Sequence, residues 1–402
     1  MKKRTSMAAG LGLVLAIAGM MAVPAMAEDL TPVTIYGVSD PQISAQQIIA
    51  KEKGFFEEQG LDVTNVLIES SGDLPSYIAS GEAPVSCEST YTCTEMAAAD
   101  VPMKMLTSTT DIGGTQGVVA GPDFEVTSAK DLEGCTMGMM NGSGVYIAVR
   151  NMAEQMGIDW TKINVVYLSP SEQIAALANG SIDIMACWEP HISTAVEQGG
   201  KLLFTGSKSY LPDYEGDVDW LKFYSTLQVT KDFYDNNYDT CVKLVKAFVE
   251  ATDYINENME ECAGIIAEQI NNDKDNVYDI MQKNKYVTLF DNDFAKASQT
   301  MAEYMNEMGN IDNVPDFDSY GDPSVLKEVL PEVATYEPGT IAELEAGDSE
   351  ADTEAATEST TEATTEAATE ATTEATTEST TEAATESTTE ETTEAATEVV
   401  SE

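Results

Sequence analysis

Small polar residues follow several short apolar runs in this chain, at points where a helix-like pattern begins. Asp40 follows the run at 33–38, and Asn141 follows the run at 135–140. A repeated strand-then-helix pattern predicts parallel β-sheets, in which ligands bind at the carboxyl ends of the strands. We therefore predict that these polar residues bind something small. The candidate ligand-binding residues are Asp40, Ser71, Ser89, Thr90, Thr109, Thr110, Asn141, Gly142, Ser143, Gly144, Trp188 and Glu189.

The segment Asn-Gly-Ser-Gly at 141–144 is the strongest candidate among them. It lies between a predicted strand and a predicted helix, so unpaired backbone N–H groups and the helix dipole would favour a negative charge there. A sulfonate, a carboxylate or nitrate would suit such a site. The alternative is a plain tight turn in which Ser143 caps the helix.

Other candidates could hold different parts of a ligand. Trp188 directly follows an apolar run and could cover a ligand, or it could be a core residue between two lobes. Asp40 and Glu189 could attract a cationic group, although Asp40 could equally cap a helix that has Pro41 at its first position. His191 adjoins Trp188-Glu189-Pro190, and we interpret it as a helix-start residue rather than a catalyst.

Arginine is scarce, and this limits the ligand. After position 27 the only arginine is Arg150, about two turns into a predicted helix and so away from the cleft. A bidentate arginine clamp on a phosphate or dicarboxylate is therefore not expected. A taurine-like zwitterion could place its anion on 141–144 and its ammonium near Asp40 or Glu189, whereas a flat pyrimidine-like ligand could stack on Trp188.

These residues require elements that bring them together. Apolar runs and helical patterns alternate in two series, which predicts an α/β fold of two βα lobes joined by two crossings, with a hinge and a cleft between them. We assign 28–117 and 222–347, which includes the C-terminal helices, to lobe I. Lobe II is assigned to 118–221.

Both ends of the chain differ from this pattern. Residues 1–27 read as a secretory signal peptide, with Lys2, Lys3 and Arg4 before an apolar run and a small-x-small site before Glu28. Residues 348–402 contain 17 acidic groups and no basic one, among Thr, Ala and Ser. Because this tail has little to bury, we expect it to be disordered. We expect an exported protein in the periplasm or at the outer face of the membrane or cell wall, without a lipid-anchor cysteine.

Composition excludes some classes of function. The formal net charge is −50, and the folded part remains strongly acidic without the tail, which argues against nucleic-acid binding. With one His and no Cys-x-x-Cys, no metal site is expected. Of the six cysteines, only Cys87 and Cys93 are close in sequence, and spacing alone does not settle whether they form a disulfide.

Several motifs together resemble one family. Residues 51–63 read KEKGFFEEQGLDV, 74–81 end in Gly, 128–134 read SAKDLEG, 176–183 read ALANGSID and 188–190 read WEP. In order and spacing they are similar to the periplasmic substrate-binding proteins of the nitrate, sulfonate, taurine and thiamine-precursor group of ABC importers. The resemblance covers roughly residues 32–310.

The resemblance implies a type II periplasmic-binding-protein fold. It also implies a monomer without cofactor or catalysis that closes over a small ligand and docks on an ABC permease and ATPase complex. The chain departs from the family by its Thr/Glu tail, and it lacks the lipid-anchor Cys of Gram-positive relatives.

Two other classes of function stay open. The same fold serves thiamine-pyrimidine synthases and enzymes of a menaquinone pathway, but a signal peptide and a single His argue against an enzyme. A surface sensor or adhesive protein that reuses the fold is the third hypothesis.

Overall fold

The computed structural model describes residues 30–69, 71–141 and 143–342. The predicted signal peptide (1–27), the predicted tail (348–402) and Gly142 lie outside these residues. The described chain contains two β-sheets with helices packed on them, which confirms the predicted α/β class. The assignment of residue ranges to two lobes stays a prediction.

The strands are short, and most of them coincide with the predicted apolar runs. In chain order they are β1 (Thr31–Val38), β2 (Leu61–Ile68), β3 (Val85–Ser89), β4 (Met103–Asp111), β5 (Gln116–Ala120), β6 (Thr136–Met139), β7 (Asn164–Tyr167), β8 (Ile184–Trp188), β9 (Lys201–Thr205), β10 (Lys208–Leu211), β11 (Tyr214–Asp217), β12 (Tyr224–Thr230) and β13 (Lys285–Tyr286).

Helices occupy most of the remaining described chain. They are α1 (Ala45–Lys53), α2 (Phe55–Glu58), α3 (Leu74–Ser80), α4 (Thr90–Ala98), α5 (Val145–Gln155), α6 (Pro170–Ala178), α7 (His191–Glu197), α8 (Lys231–Asn236), α9 (Tyr238–Glu257), α10 (Met259–Ile270), α11 (Lys274–Met281), α12 (Asn292–Glu307), α13 (Phe317–Tyr320) and α14 (Ser324–Val329).

Local sequence signals account for several of these boundaries. Helix α1 ends at Gly54, whose φ of 83° is a left-handed conformation that glycine adopts without steric cost. A capping box is present at the start of α6, where Glu172 Oε2 accepts hydrogen bonds from the Ser169 N–H (2.8 Å) and hydroxyl (2.7 Å). Helix α9 is amphipathic and buries Leu244 and Phe248 among other apolar residues.

Both sheets are mixed, whereas the strand-then-helix pattern predicted parallel ones. The first has the order β13-β4-β12-β3-β1-β2, and the second has the order β11-β10-β9-β5-β8-β6-β7. Strand β1 is parallel to β2 and β3, but β12 returns from the second sheet and enters between β3 and β4 in the antiparallel direction. The hairpin of β10 and β11 was not predicted, because its strands are short and largely polar.

The chain passes between the two sheets twice, and the two passages pack against each other. The first runs from β4 through a 3-10 turn at Gly113–Thr115 into β5. The second covers 218–223 and leads into β12. The Ile112 N–H donates to the Phe223 carbonyl (2.7 Å), and a Cβ on Gly113 would lie 2.2 Å from the Leu221 carbonyl oxygen. The passages therefore meet backbone to backbone.

The cysteines in this structure are all unbridged and buried. Cys93 Sγ donates to Gln228 Oε1 and lies 3.2 Å from the Thr226 hydroxyl, so it takes part in a buried polar cluster and not in a bridge to Cys87. Among the described residues, no helix combines the length and apolar character that crossing a bilayer requires.

We predict that Gly113→Ala destabilises the fold, because the new methyl group would collide with a backbone carbonyl that cannot rotate away. The free energy of unfolding, measured by urea denaturation, should fall by roughly 2 kcal/mol or more. The matched control is Gly264→Ala in helix α10, where the nearest atom to an added Cβ is a Lys274 side-chain carbon at 3.7 Å. That variant should keep or slightly raise the stability. An unchanged urea midpoint for Gly113→Ala would contradict the close packing.

Candidate functional site

A cavity with a volume of about 640 Å³ lies between the two sheets of the described chain. Its walls come from residues that end or follow β1, β2 and β3 of the first sheet and β6 and β8 of the second. The structure brings eight of the sequence-predicted residues to its lining. They are Asp40, Ser71, Ser89, Asn141, Ser143, Gly144, Trp188 and Glu189.

Three candidates do not reach this cavity. Strand β4 continues to Asp111, so Thr109 and Thr110 lie inside the strand and are buried in the first sheet. The Thr110 hydroxyl is 3.4 Å from Gln46 Oε1. Thr90 is the first residue of α4, and its side chain is also buried away from the lining. Gly142 lies outside the described residues.

The N-terminus of α5 faces the cavity, as predicted for 141–144. Gly144 is the N-cap, and the side chain of Ser143 makes no capping hydrogen bond, so the alternative of a serine cap does not apply. Ser143 is only 5% exposed and its hydroxyl has no hydrogen-bond partner among the described residues, although the residue lines the cavity. A buried hydroxyl without a partner at a helix N-terminus is suited to hold a polar ligand atom.

Asp40 lines the cavity from a turn and not from the helix start. Helix α1 begins five residues later, at Ala45, so the predicted helix cap is wrong. Asp40 Oδ1 instead accepts hydrogen bonds from the N–H groups of Gln42 (2.8 Å) and Ile43 (2.7 Å). Burial raises the pKa of Asp40 to about 6, and these two hydrogen bonds oppose the rise.

Glu88 was not predicted as a site residue, yet it lies directly behind the lining. It is fully buried in β3, and neither carboxylate oxygen has a hydrogen bond of good geometry to any residue that the structure describes. Burial raises its pKa to about 8, the charge of Asp40 adds to the rise, and the nearby hydroxyls of Thr92 and Ser71 oppose it. The available signal was a glutamate inside an otherwise small and apolar strand, VSCES.

Glu189 is already neutralised by the protein. Its carboxylate is 2% exposed, forms an ion pair with Lys283 through Oε1, and accepts the Ser193 N–H at Oε2 (3.0 Å). It is therefore poorly placed to attract a ligand cation. His191 contacts the edge of the Trp188 ring, with 6.0 Å between centroids, and burial lowers its pKa while the charge of Glu189 opposes this.

Sequence reasoning missed several other residues of the cavity wall. Gln42 joins the two halves of the site, since its Nε2 donates to the Glu189 carbonyl (3.3 Å) and its Oε1 accepts from the Thr115 hydroxyl (2.5 Å). Such long-range contacts leave no local sequence signal. The further lining residues that were missed include Glu69, Tyr91, Thr92, Glu95, Gln116, Phe223 and Asn310.

The electrostatic character of the lining is acidic. Four carboxylates line the cavity, and none of its described lining residues is Lys or Arg. Arg150 lies away from it, as predicted, pairs with Glu307 (2.9 Å) and stacks on Trp160. No three His, Cys, Asp or Glu side chains of the described residues form a group able to hold a metal ion.

A family model described as NMT1/THI5 like matches residues 43–262, which is more than half of the chain. The chain belongs to the NMT1/THI5-like family. This membership agrees with the family resemblance of the sequence motifs, such as those at 51–63, 128–134 and 176–183. The matched segment includes most of the cavity-lining residues, among them Ser71, Ser89, Ser143 and Trp188.

Similar proteins include binding proteins for small anions. A Bacillus subtilis (strain 168) protein named for binding aliphatic sulfonates is 24% identical over 71% of this chain and 85% of its own length. The periplasmic aliphatic sulphonate binding protein SsuA from Escherichia coli has a TM-score of 0.61 at 15% identity, covering 72% of this chain and 91% of SsuA. The periplasmic nitrate-binding protein NrtA from Synechocystis PCC 6803 has a TM-score of 0.57 at 19% identity, covering 79% and 91%.

The structural likeness shows the fold and not the ligand. A desulfurization enzyme, DSZB, also shares it, with a TM-score of 0.54 at 15% identity over 75% of this chain and 99% of the enzyme. Function therefore has to be argued from the residues of this cavity.

We predict that Glu88→Gln makes stability less dependent on pH. In the wild type the folded state keeps a proton on Glu88 between its ordinary pKa of 4.5 and about 8, so stability falls as pH rises through this window. Urea denaturation should show the variant gaining roughly 2–4 kcal/mol relative to wild type between pH 5 and pH 8. A matched control is Glu257→Gln on the exposed surface of α9. The free energy of unfolding of this variant relative to the wild type should be the same at pH 5 and pH 8. If the difference in the free energy of unfolding between Glu88→Gln and the wild type is the same at pH 5 and pH 8, the raised pKa of Glu88 is contradicted.

Proposed function

We propose that this protein is the extracytoplasmic substrate-binding component of an ABC importer. It captures a small organic solute in the cavity between its two sheets and delivers it to a membrane permease and ATPase complex. The protein acts as an exported monomer, binds the solute without converting it, and bends at the two passages between the sheets.

The observation that carries this proposal is the cavity itself. Its volume of about 640 Å³ falls within the range of ordinary small-molecule sites. Polar groups reach it from both sheets, as expected if a solute bridges two halves that close over it. The names of the similar binding proteins support the same class of function.

The residues favour a zwitterion over a simple anion such as nitrate. The N-terminus of α5 and the unpartnered Ser143 hydroxyl form a pole for a sulfonate or carboxylate. Asp40, on the opposite sheet, forms a pole for an ammonium group. Because Glu189 is paired with Lys283, Asp40 is the better of the two carboxylates that the sequence offered for this role.

A second candidate ligand is a pyrimidine of the thiamine-precursor type. Trp188 lines the cavity and is half-buried, so a flat ring could stack on its indole. The family that the sequence motifs resemble includes proteins that bind thiamine precursors. Asp40 could then accept a hydrogen bond from a ring amino group.

We predict that the protein carries a solute when purified from its own cells. Mass spectrometry of the material released on denaturation should detect a small molecule, and adding it back should raise the melting temperature. A ligand at a hundred times its Kd stabilises the folded state by about 2.7 kcal/mol. A protein that releases nothing and is stabilised by no sulfonate, amino acid, nitrate or pyrimidine would contradict the proposal. Co-purification with a sensor kinase instead of a permease would favour a sensor.

We predict that Ser143→Ala weakens binding of the released solute. Loss of one hydrogen bond from the pole at α5 should raise the Kd about three- to tenfold, measured by titration calorimetry. A matched control is Ser298→Ala in α12, a buried serine whose hydroxyl donates to the Phe294 carbonyl (2.9 Å) and lies away from the cavity lining. Equal affinities of Ser143→Ala and wild type would remove Ser143 from the site.

A further inference from the structure

The first sheet contributes an excess of negative charge to the cavity. Asp40, Glu69 and Glu95 line it, and Glu88 lies just behind Ser71 and Thr92. On the opposite sheet, the charge of Glu189 is met by Lys283. Since no described lining residue is Lys or Arg, the protein itself supplies no comparable partner to the carboxylates of the first sheet within the cavity.

Glu88 is the least expected member of this group. Strand β3 lies between β1 and β12 in the interior of the first sheet, where an ionised carboxylate is costly unless a cation or several donors meet it. The nearest hydroxyl on β12, that of Thr226, donates to the backbone carbonyl of Glu88 (3.0 Å) and not to its carboxylate. A buried carboxyl without a hydrogen bond of good geometry, beside a cavity, marks a candidate for function.

The groups around Asp40 do not supply the missing positive charge. Its two hydrogen bonds come from backbone N–H groups. Tyr286, from β13, donates its hydroxyl to the Pro41 carbonyl (2.9 Å), and burial raises its pKa. The described protein therefore leaves a negative pole on the first sheet that a ligand can complete.

We propose that the solute carries a positively charged amine, which binds at the Asp40 side of the cavity with Glu88 behind it as a buried countercharge. The chemical class is a protonated primary or secondary amine, alone or as part of a zwitterion. This inference rests on the proposed function and names the charge that the site selects. The bound ammonium donates hydrogen bonds to Asp40 and neutralises the negative charge of the two carboxyl groups, Asp40 and Glu88.

Binding of the amine is linked to proton release. Without a bound solute, the two carboxyl groups of Asp40 and Glu88 together hold a proton near neutral pH. Burial raises the pKa of Glu88 to about 8 and that of Asp40 to about 6. When the cation enters, both carboxyls favour their charged forms and the proton passes to solvent. Affinity for an amine therefore rises between pH 6 and pH 8.

Other titratable groups near the pair do not reproduce this dependence. The charge of Glu88 acts on Cys87 and Cys93, but burial is the main cause that raises the pKa of both thiols, so they stay neutral over this range. His191, on the opposite wall, has a pKa that burial lowers, so it carries less positive charge across this window than an exposed histidine would. Glu69 and Glu95 are exposed carboxylates that also line the cavity.

The test uses the full exported chain, stripped of bound solute by unfolding and refolding, with pairs of probes that differ in charge. The pairs are taurine with isethionate, benzylamine with benzyl alcohol, and cadaverine with 1,5-pentanediol. Thermal shift and calorimetry at pH 6 and pH 8 should show binding of at least one amine and no binding of its hydroxyl partner. Affinity for that amine should rise about tenfold from pH 6 to pH 8.

Variants locate the effect. Asp40→Asn and Glu88→Gln should each weaken amine binding at pH 8 about tenfold or more, and Glu88→Gln should also remove most of the pH dependence. The matched controls Asp253→Asn and Glu257→Gln change exposed carboxylates on α9 and should alter affinity less than about twofold. Circular dichroism checks folding, and Asp40→Asn, on a half-buried turn, carries the test if Glu88→Gln does not fold.

The outcomes separate this inference from the function on which it rests. If the solute released from the native protein is uncharged or purely anionic, or if hydroxyl probes bind as well as amines, the inference fails while the importer function stands. If Asp40→Asn and Glu88→Gln bind the amine like wild type, the assigned pole is wrong. If no solute is released and no probe binds, the proposed function fails together with the inference.

Discussion

The architecture depends on the close contact between the two passages that join the sheets. Gly113 lies against the Leu221 carbonyl, and the Ile112 N–H is bonded to the Phe223 carbonyl. Because both contacts involve backbone atoms, side-chain rotation cannot relax them. They hold the end of β4 beside the start of β12, so the ends of β1, β2 and β3 face those of β6 and β8 across a single cavity.

This arrangement lets two sheets with different electrostatics share one site. The second sheet offers the N-terminus of an eleven-residue helix, α5, whose dipole favours negative charge. The first sheet offers carboxylates, one of them buried in β3. A solute that satisfies both walls must carry charges or polar groups at two ends. The ion pair of Glu189 with Lys283 sharpens this division, since it neutralises the carboxylate on the wall of the second sheet.

Much of the fold could be predicted because its signals are local. The apolar runs at 33–38 and 135–140 and the helix predicted after 141–144 each depend on neighbouring residues, and β1, β6 and α5 are found there. Strand direction could not be predicted, since the antiparallel placement of β12 depends on how the chain returns from the second sheet. Thr109 and Thr110 were wrongly expected at the cavity for a related reason: they lie inside a strand that continues, paired with β12, to Asp111.

The site was harder to predict than the fold because its chemistry depends on charges that meet only in three dimensions. Asp40 was found from its position after a strand, whereas Glu88 looked like an ordinary strand residue. Only the folded chain shows that Glu88 has no cation beside it among the described residues and that Asp40 lies near it. The similar proteins named for sulfonate or nitrate share the fold at 24% identity or less, a level at which pocket charges can differ completely. In this chain the carboxylates of the first sheet oppose the binding of a bare anion. The anionic ligands named for the similar proteins are therefore compatible with the electrostatics of this cavity only if the solute also brings a positive charge or an N–H donor to Asp40.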